Sequence, residues 1–336
     1  MRKNNQKIFI LFGILSVVAV IGYLTVWMIS KQSLIREMYS DPSLRDVLFT
    51  IIGDIAKERL VKVLAIVVAA VLVAHTSLVF QTMTNNRILT PSILGFDAIY
   101  AITQTLIIFL LGSISLLIQN PFINFFINTV IMVLIVMMMY ALVFRKNKNN
   151  IVLLLLVGMI ITSLARSIVN FLQVLMDPNE YQSVQALTSV SIVNIDTKLV
   201  LWVLPVMIVM VGYFISRSRI YDVIQLGETS AINLGVSYQK ETRLDLIMIA
   251  ISIAISTALV GPLSFLGLIV VNSARELLKT YKHLPLFILS SLIAIVFLVF
   301  GQVIIELTGY QTTVVTLISF AGGIYMIYLI LKENKL

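Results

Sequence analysis

The chain has 336 residues, of which 59% are hydrophobic and only 12% charged, and its mean hydropathy is +1.02. A soluble domain carries about twice that charged fraction, and the apolar runs are continuous rather than alternating, so the composition excludes a soluble fold and a β-barrel in favour of an all-α, polytopic membrane protein. Cysteine is absent, which excludes disulfides and thiolate metal sites, and the net charge of +8 is read as the Lys and Arg excess that holds loops in the cytoplasm rather than as a nucleic-acid footprint.

In chain order, the run from Lys7 to Ile29 is the first predicted span. It is too long for a typical signal peptide and no small-residue cleavage site follows it, so it is read as an anchor. A polar segment, Ser30 to Arg59, is expected to hold a short helix of its own. Nine further spans are predicted at 61–81, 93–112, 122–144, 151–174, 199–216, 244–260, 262–280, 285–305 and 312–331. The total is about ten transmembrane helices in one membrane domain, 1–336. Only Gly261 and Pro262 separate the seventh span from the eighth, which predicts a tight hairpin there.

Charge sets the orientation. With both termini inside, most of the 24 basic residues fall on the cytoplasmic side, as the positive-inside rule requires. They include Arg2, Lys3, Lys7, Arg87, Arg145, Lys146, Lys148, Arg217, Arg219, Lys240, Arg243, Arg275, Lys279, Lys282, Lys332 and Lys335. The cluster Lys57, Arg59 and Lys62 then stands outside, against the bias. Either these side chains snorkel at a helix start, or they form an electrostatic contact for an extracytoplasmic protein.

No phosphate-loop motif, HExxH or GxSxG occurs in the sequence, and its two histidines, His75 and His283, lie far apart. Acidic residues fall near predicted span ends, Asp97 and Asp245 toward the cytoplasm and Glu306 outside. None marks a midplane, where a proton or sodium relay would place a carboxylate. An enzyme is therefore not expected, and neither is a cofactor. A pore subunit powered by a separate ATPase fits better than an ion-coupled secondary transporter, which stays as the alternative. Candidate pathway residues are His75, Thr76, Ser77 and Gln81 on the second span, with Arg166 and Asn170 on the fifth. Ser and Thr can equally bond back to their own helix. Arg166 should face protein, water or an anionic substrate.

Between the sixth and seventh spans lies Gln225 to Gln239, flanked by Arg217, Arg219, Lys240 and Arg243. Gly227 precedes a helical run, Glu228 to Leu234, and Gly235 stands at its C-terminal cap position. Ala231, Ile232 and Leu234 give that run an apolar face. A helix of about 10 Å needs a surface to lie on. That surface is either the membrane interface or a cytoplasmic partner.

These residues carry a resemblance. Arg59-Leu-Val-Lys62, followed by Gln81-Thr-Met-Thr-Asn-Asn-Arg-Ile-Leu-Thr-Pro-Ser-Ile-Leu-Gly95, resembles the R-x-x-R … Q-x-x-x-x-N-P-L-A-x-P-x-x-L-G signature of the FecCD family of ABC-importer permeases. Leu226 to Val236 is similar to that family's L-G-E-x-x-A-x-x-L-G-V, and Gly261 to Leu268 to its G-x-I-x-F-V-G-L. The likeness is greatest to permeases for catecholate or related siderophores. It departs at Arg87, where the family has Pro, at Val271–Asn272, where it has Pro-His, and at Gln302, near which it has an arginine.

The resemblance implies a ten-helix, cobalamin-permease-like type II importer fold in a bacterial cytoplasmic membrane, both ends inside. It implies a dimer with an identical or paralogous permease, the pathway running between the two. The segment at about 221–240 would couple to ABC ATPase subunits through Leu226, Gly227, Glu228, Ala231, Leu234, Gly235 and Val236. Arg59 and Lys62 would receive a substrate-binding lipoprotein, and the loop holding Asn86 and Ile88 would form the cytoplasmic gate. The transported substrate would be a ferric siderophore, with no nucleic acid, metal site or catalytic residue involved.

Overall fold

In lipid every backbone polar group needs a partner within the chain, so long apolar runs close their hydrogen bonds as helices. The computed structural model describes residues 3–41, 43–146, 151–189, 195–309 and 312–333. Among the described residues it contains fifteen α-helices, one 3-10 turn and no strand. Arg2, Lys148 and Lys335, used above for orientation, lie outside the described residues.

Among the described residues seven helices are long and apolar enough to cross a membrane: α1 (Lys3–Ser30), α3 (Arg45–Met83), α6 (Pro121–Lys146), α7 (Ile151–Leu175), α9 (Thr197–Ser216), α12 (Tyr238–Val260) and α14 (His283–Leu307), and α4 (Phe96–Leu111), α13 (Leu266–Leu278) and α15 (Val314–Glu333) complete the bundle. Short helices connect them: α2 (Gln32–Ser40), α5 (Leu116–Gln119) and α8 (Pro178–Thr188) on the outer side, α10 (Ser218–Ile224) and α11 (Glu228–Asn233) on the inner side.

Helix α3 is the hub. It packs against α9, α12, α13 and α14, and nearly every residue from Ala65 to Met83 is buried. Its 39 residues span about 58 Å at the usual rise, far more than a hydrocarbon core of about 30 Å. Its first half therefore stands outside the membrane. The sequence reading starts this span at 61 and gives the preceding polar stretch a separate helix. The separate helix exists as α2, but the chain from Arg45 onward belongs to α3, because no proline interrupts it and Gly53 alone does not end a helix.

The predicted hairpin between the seventh and eighth spans does not form. Residues 261–265 are non-helical, and α12 and α13 each pack on α3 rather than along one another. Two short helices result from this kind of break. Helices α4 and α13, of 16 and 13 residues, reach only about 24 and 20 Å. Both start within the membrane rather than at its edge. Gly95, at φ 94°, sits against α7, where a Cβ would lie 3.0 Å from Thr162 Oγ1. The 3-10 turn Pro91–Leu94 rests on Gly158, where a Cβ would be 2.9 Å from Leu94 Cα. These contacts place the start of α4 well along α7. Likewise Phe265, just before α13, abuts Gly322 in the interior of α15, where a Cβ would lie 2.6 Å from Phe265 Cβ. Irregular backbone at membrane depth is tolerated where it lines a cavity.

Candidate transport cavity and coupling surface

Such a cavity lies where the two broken segments meet, with a volume of about 670 Å³. Ile88 and Ser92 from the 84–95 segment, Asp97 at the start of α4, and Ser264 from the 261–265 segment reach it. Helix α7 contributes Arg166 and Asn170, among others. Ser264 donates its hydroxyl to Asp97, which ties the two segments together on the cavity wall. The sequence reading placed Asp97 near the cytoplasmic edge. Its position two residues beyond the Gly95–Thr162 contact brings it deeper, since the loop before α4 folds inward.

His75, Thr76, Ser77 and Gln81, expected beside the pathway, are placed elsewhere: all four are buried in the bundle. Thr76 donates to the Leu72 carbonyl at 2.7 Å. The His75 ring stacks on Phe287 with centroids 4.6 Å apart, and its Nδ1 lies 2.8 Å from the Val71 carbonyl. Ser77 underlies Gly267, where a Cβ would lie 2.6 Å from Ser77 Cβ. The cause is the central position of α3, which leaves none of these side chains free to face an opening.

At its inner end α3 stops in a Schellman motif, with Asn85 at φ 47°. Asn86 N–H donates to the Gln81 carbonyl at 3.1 Å and Asn85 N–H to that of Thr82 at 3.2 Å. Asn86 Oδ1 then accepts from Ile88 N–H at 2.9 Å. Asn86 shapes the turn, and Ile88 is the one of the pair that touches the cavity.

The α10–α11 segment projects on the inner side. Gly227, at φ 95°, makes the corner between the two helices. Gly235 and Val236 close α11 with a second Schellman motif, donating to the carbonyls of Ile232 at 2.9 Å and Ala231 at 3.0 Å. The expected apolar face divides in two. Ala231 is 0% exposed and turned into the bundle, whereas Leu226, Ile232 and Leu234 are 59%, 51% and 63% exposed. Ala231 is thus the seat of the helix and not the centre of a docking face. Its small side chain lets α11 approach the rest of the chain. Glu228 is exposed beside the outward residues.

Side chains that sequence reasoning overlooked pin this segment. Asp222 of α10 accepts from His283 N–H at 2.7 Å, and its Oδ1 lies 2.7 Å from the His283 ring Nδ1. His283 Nε2 is 2.8 Å from Thr82 Oγ1 near the end of α3. Burial opposes ionisation of Asp222, but the His283 hydrogen bonds and the Lys282 charge outweigh it and hold the carboxyl below its ordinary range. Tyr213 and Tyr221 both donate to Asp245 at 2.8 Å, and Arg217 pairs with Glu241. Only the polar character of Asp222 and His283 near predicted span ends could have signalled this brace.

On the outer side Arg59 is spent internally. Its guanidinium pairs with Glu306, the two side chains being only 9% and 6% exposed, and donates to the Tyr23 carbonyl at 2.6 Å. It also lies 4.9 Å from the Tyr23 ring centre. The expectation that Arg59 meets a binding protein is corrected here, because both faces of its guanidinium have partners within the chain. Lys62 pairs with Glu58 at 2.6 Å.

Residues 8–332 match the FecCD transport family. The chain belongs to that family. Among curated relatives, the petrobactin import system permease protein YclO of Bacillus subtilis (strain 168) is 47% identical over 82% of this chain and 88% of its own length. The petrobactin import system permease protein FatC of Bacillus anthracis is 29% identical over 84% and 80%. A solved structure of a metal-chelate type ABC transporter in an inward-facing conformation superposes with a TM-score of 0.79, at 19% identity, over 98% of this chain and 99% of that one. At that identity the match speaks for the fold. FecCD membership decides between the two transporter classes: the chain is an ABC-importer permease subunit, a multi-pass inner-membrane protein and not an enzyme.

Proposed function

We propose that this FecCD-family permease carries a ferric siderophore into the cytoplasm. The observation that carries this reading is the 47% identity, over 82% of this chain and 88% of the relative, to a petrobactin import permease. The test is uptake of radiolabelled iron as ferric petrobactin. A strain lacking the permease should lose it and regain it with the plasmid-borne gene. Uptake unchanged by the deletion would refute the substrate class.

The partners belong to the same proposal: ABC ATPases inside, a substrate-binding lipoprotein outside, and a second permease alongside. The exposed trio Leu226, Ile232 and Leu234 supports ATPase docking, since apolar side chains clustered on an exposed knob mark an interaction surface. Ile232→Asp with Leu234→Asp should leave membrane levels normal and abolish ATPase co-purification. Ala231→Glu would instead damage the permease itself. Outside, lipoprotein capture falls to the exposed Lys57, with Arg59 held inward and Lys62 largely buried against Glu58. ATP-driven movement of α10–α11 would reach the gate segment of Asn86 and Ile88 and alternate access to the cavity.

A further inference from the structure

The cavity contains a cation that makes no close ion pair within the chain. Arg166 lies in its wall, and among the described residues no carboxylate stands within ion-pairing distance of it. Asp97 shares the cavity and lies close enough to feel the Arg166 charge; one of its oxygens accepts from Ser264 and the other is buried with no hydrogen-bond partner among the described residues. A guanidinium at membrane depth is costly unless water or an anion attends it. Two of the neighbouring hydroxyls do not compete for that role. Thr162 donates to the Gly158 carbonyl at 2.8 Å and Ser167 to that of Ser163 at 2.9 Å, so both protons are turned back onto α7. Arg166, Asn170 one turn on, and the Ser163 hydroxyl are then the donors that α7 leaves for an occupant, and Arg166 alone among them carries a charge. Phe265, Leu268 and Met326 add apolar wall for its bulk.

We propose that Arg166, with Asn170 beside it, is the anion-receiving group of the transport cavity, and that the cavity admits a net-anionic, oxygen-rich ferric chelate in preference to a neutral one. This rests on the siderophore reading for the identity of the cargo, but the charge of the site is tested separately. Arginine suits the task because its planar fork engages two oxygens at once. A single cation attracts the chelate without enclosing it, which leaves the occupant free to move on.

The sequence has no cysteine, so one can be introduced alone at Ser163, three residues from Arg166 in the same cavity wall. Full-length permease carrying Ser163→Cys is reconstituted in liposomes and treated with anionic, cationic and neutral methanethiosulfonates. Each rate is referred to that of a small free thiol. The anionic reagent should be favoured over the cationic one. Arg166→Gln should lower that ratio by about threefold or more, as loss of a unit charge a few ångströms away requires, while Arg166→Lys should retain it. A ferric tris-catecholate, net trianionic, should protect the thiol, and a neutral ferric trihydroxamate at the same concentration should not. A ratio unmoved by Arg166→Gln, equal protection by both chelates, or a thiol that the neutral reagent never reaches would overturn the proposal. The reagents are not siderophores, so the ratio reports on the site even if the petrobactin experiment fails, and that experiment stands whatever the ratio shows.

Discussion

The inner half of helix α3, residues 63–83, and helix α7 look alike as sequence: each is an apolar run with a scatter of hydroxyls, one or two amides and one basic or imidazole side chain. The bundle treats them in opposite ways. In the most apolar stretch of α3, 83% of residues are buried, against 17% for α7. On α3, Thr76 bonds to a carbonyl and His75 stacks on a ring inside the protein, and Gln81 is buried with no hydrogen-bond partner among the described residues, whereas Arg166 and Asn170 of α7 meet a cavity. A polar stripe on a membrane helix therefore marks a face that avoids lipid. Whether that face meets protein or an opening depends on how many neighbours the helix has.

The comparison can be pressed hardest at the charged ends. Arg59→Ala would leave Glu306 buried and alone, and should cost about 3–5 kcal/mol of stability. Arg59→Met with Glu306→Leu should recover most of that loss, as read by unfolding in detergent. A single variant as stable as wild type would show that the outer end of α3 is not the closed site described. Next in size is Gly267→Leu, which drives a side chain into Ser77 on α3. Overpacking of this kind should cost about 1–3 kcal/mol, visible as a lowered melting temperature.

A smaller effect is expected at Asp222→Asn, which weakens one charged hydrogen-bond brace and should cost about 1–2 kcal/mol. The pH dependence has a fixed sign. Because the folded carboxyl is held below its ordinary value, the brace contributes fully above the ordinary carboxylate pKa and is lost as pH falls through the folded one. Hydrogen exchange of α10 should accelerate in that acid window in wild type and show no such dependence in the variant. Least of all should follow Leu164→Ala on the open face of α7, within about 0.5 kcal/mol for the isolated permease. A larger loss there would mean that α7 is covered within one chain.

Much of the architecture was legible in advance, because hydrocarbon thickness dictates the length of apolar runs and the basic residues dictate sidedness. The run 151–174 matches α7 to within a residue. The extent of α3 was not legible: Arg45 to Arg59 is polar enough to read as a loop, and only the lack of a helix breaker says otherwise. The predicted spans 93–112 and 262–280 contain α4 and α13 but overrun them by a few residues, since the 3-10 turn before α4 and the non-helical residues 261–265 before α13 take up their starts. At the site, Arg166, Asn170 and Ile88 reach the cavity, while His75 and Gln81 do not. Nothing in the periodicity of α3 or α7 encodes the number of surrounding helices. The direction of Ala231 was equally hidden, because a six-residue helix takes its inner face from whatever lies beneath it.

The chain of contacts from Asp222 through His283 to Thr82 has a mechanical meaning. Between the projecting α10–α11 knob and the end of α3 stand one carboxylate, one imidazole and one hydroxyl, each within 2.8 Å of the next. No flexible linker and no sliding apolar contact interrupts this line. In the coupling proposed above, a push on the knob would arrive at the turn holding Asn86 with little backlash, as through a gear train cut without clearance. Such a train transmits small strokes faithfully, and it transmits them in both directions.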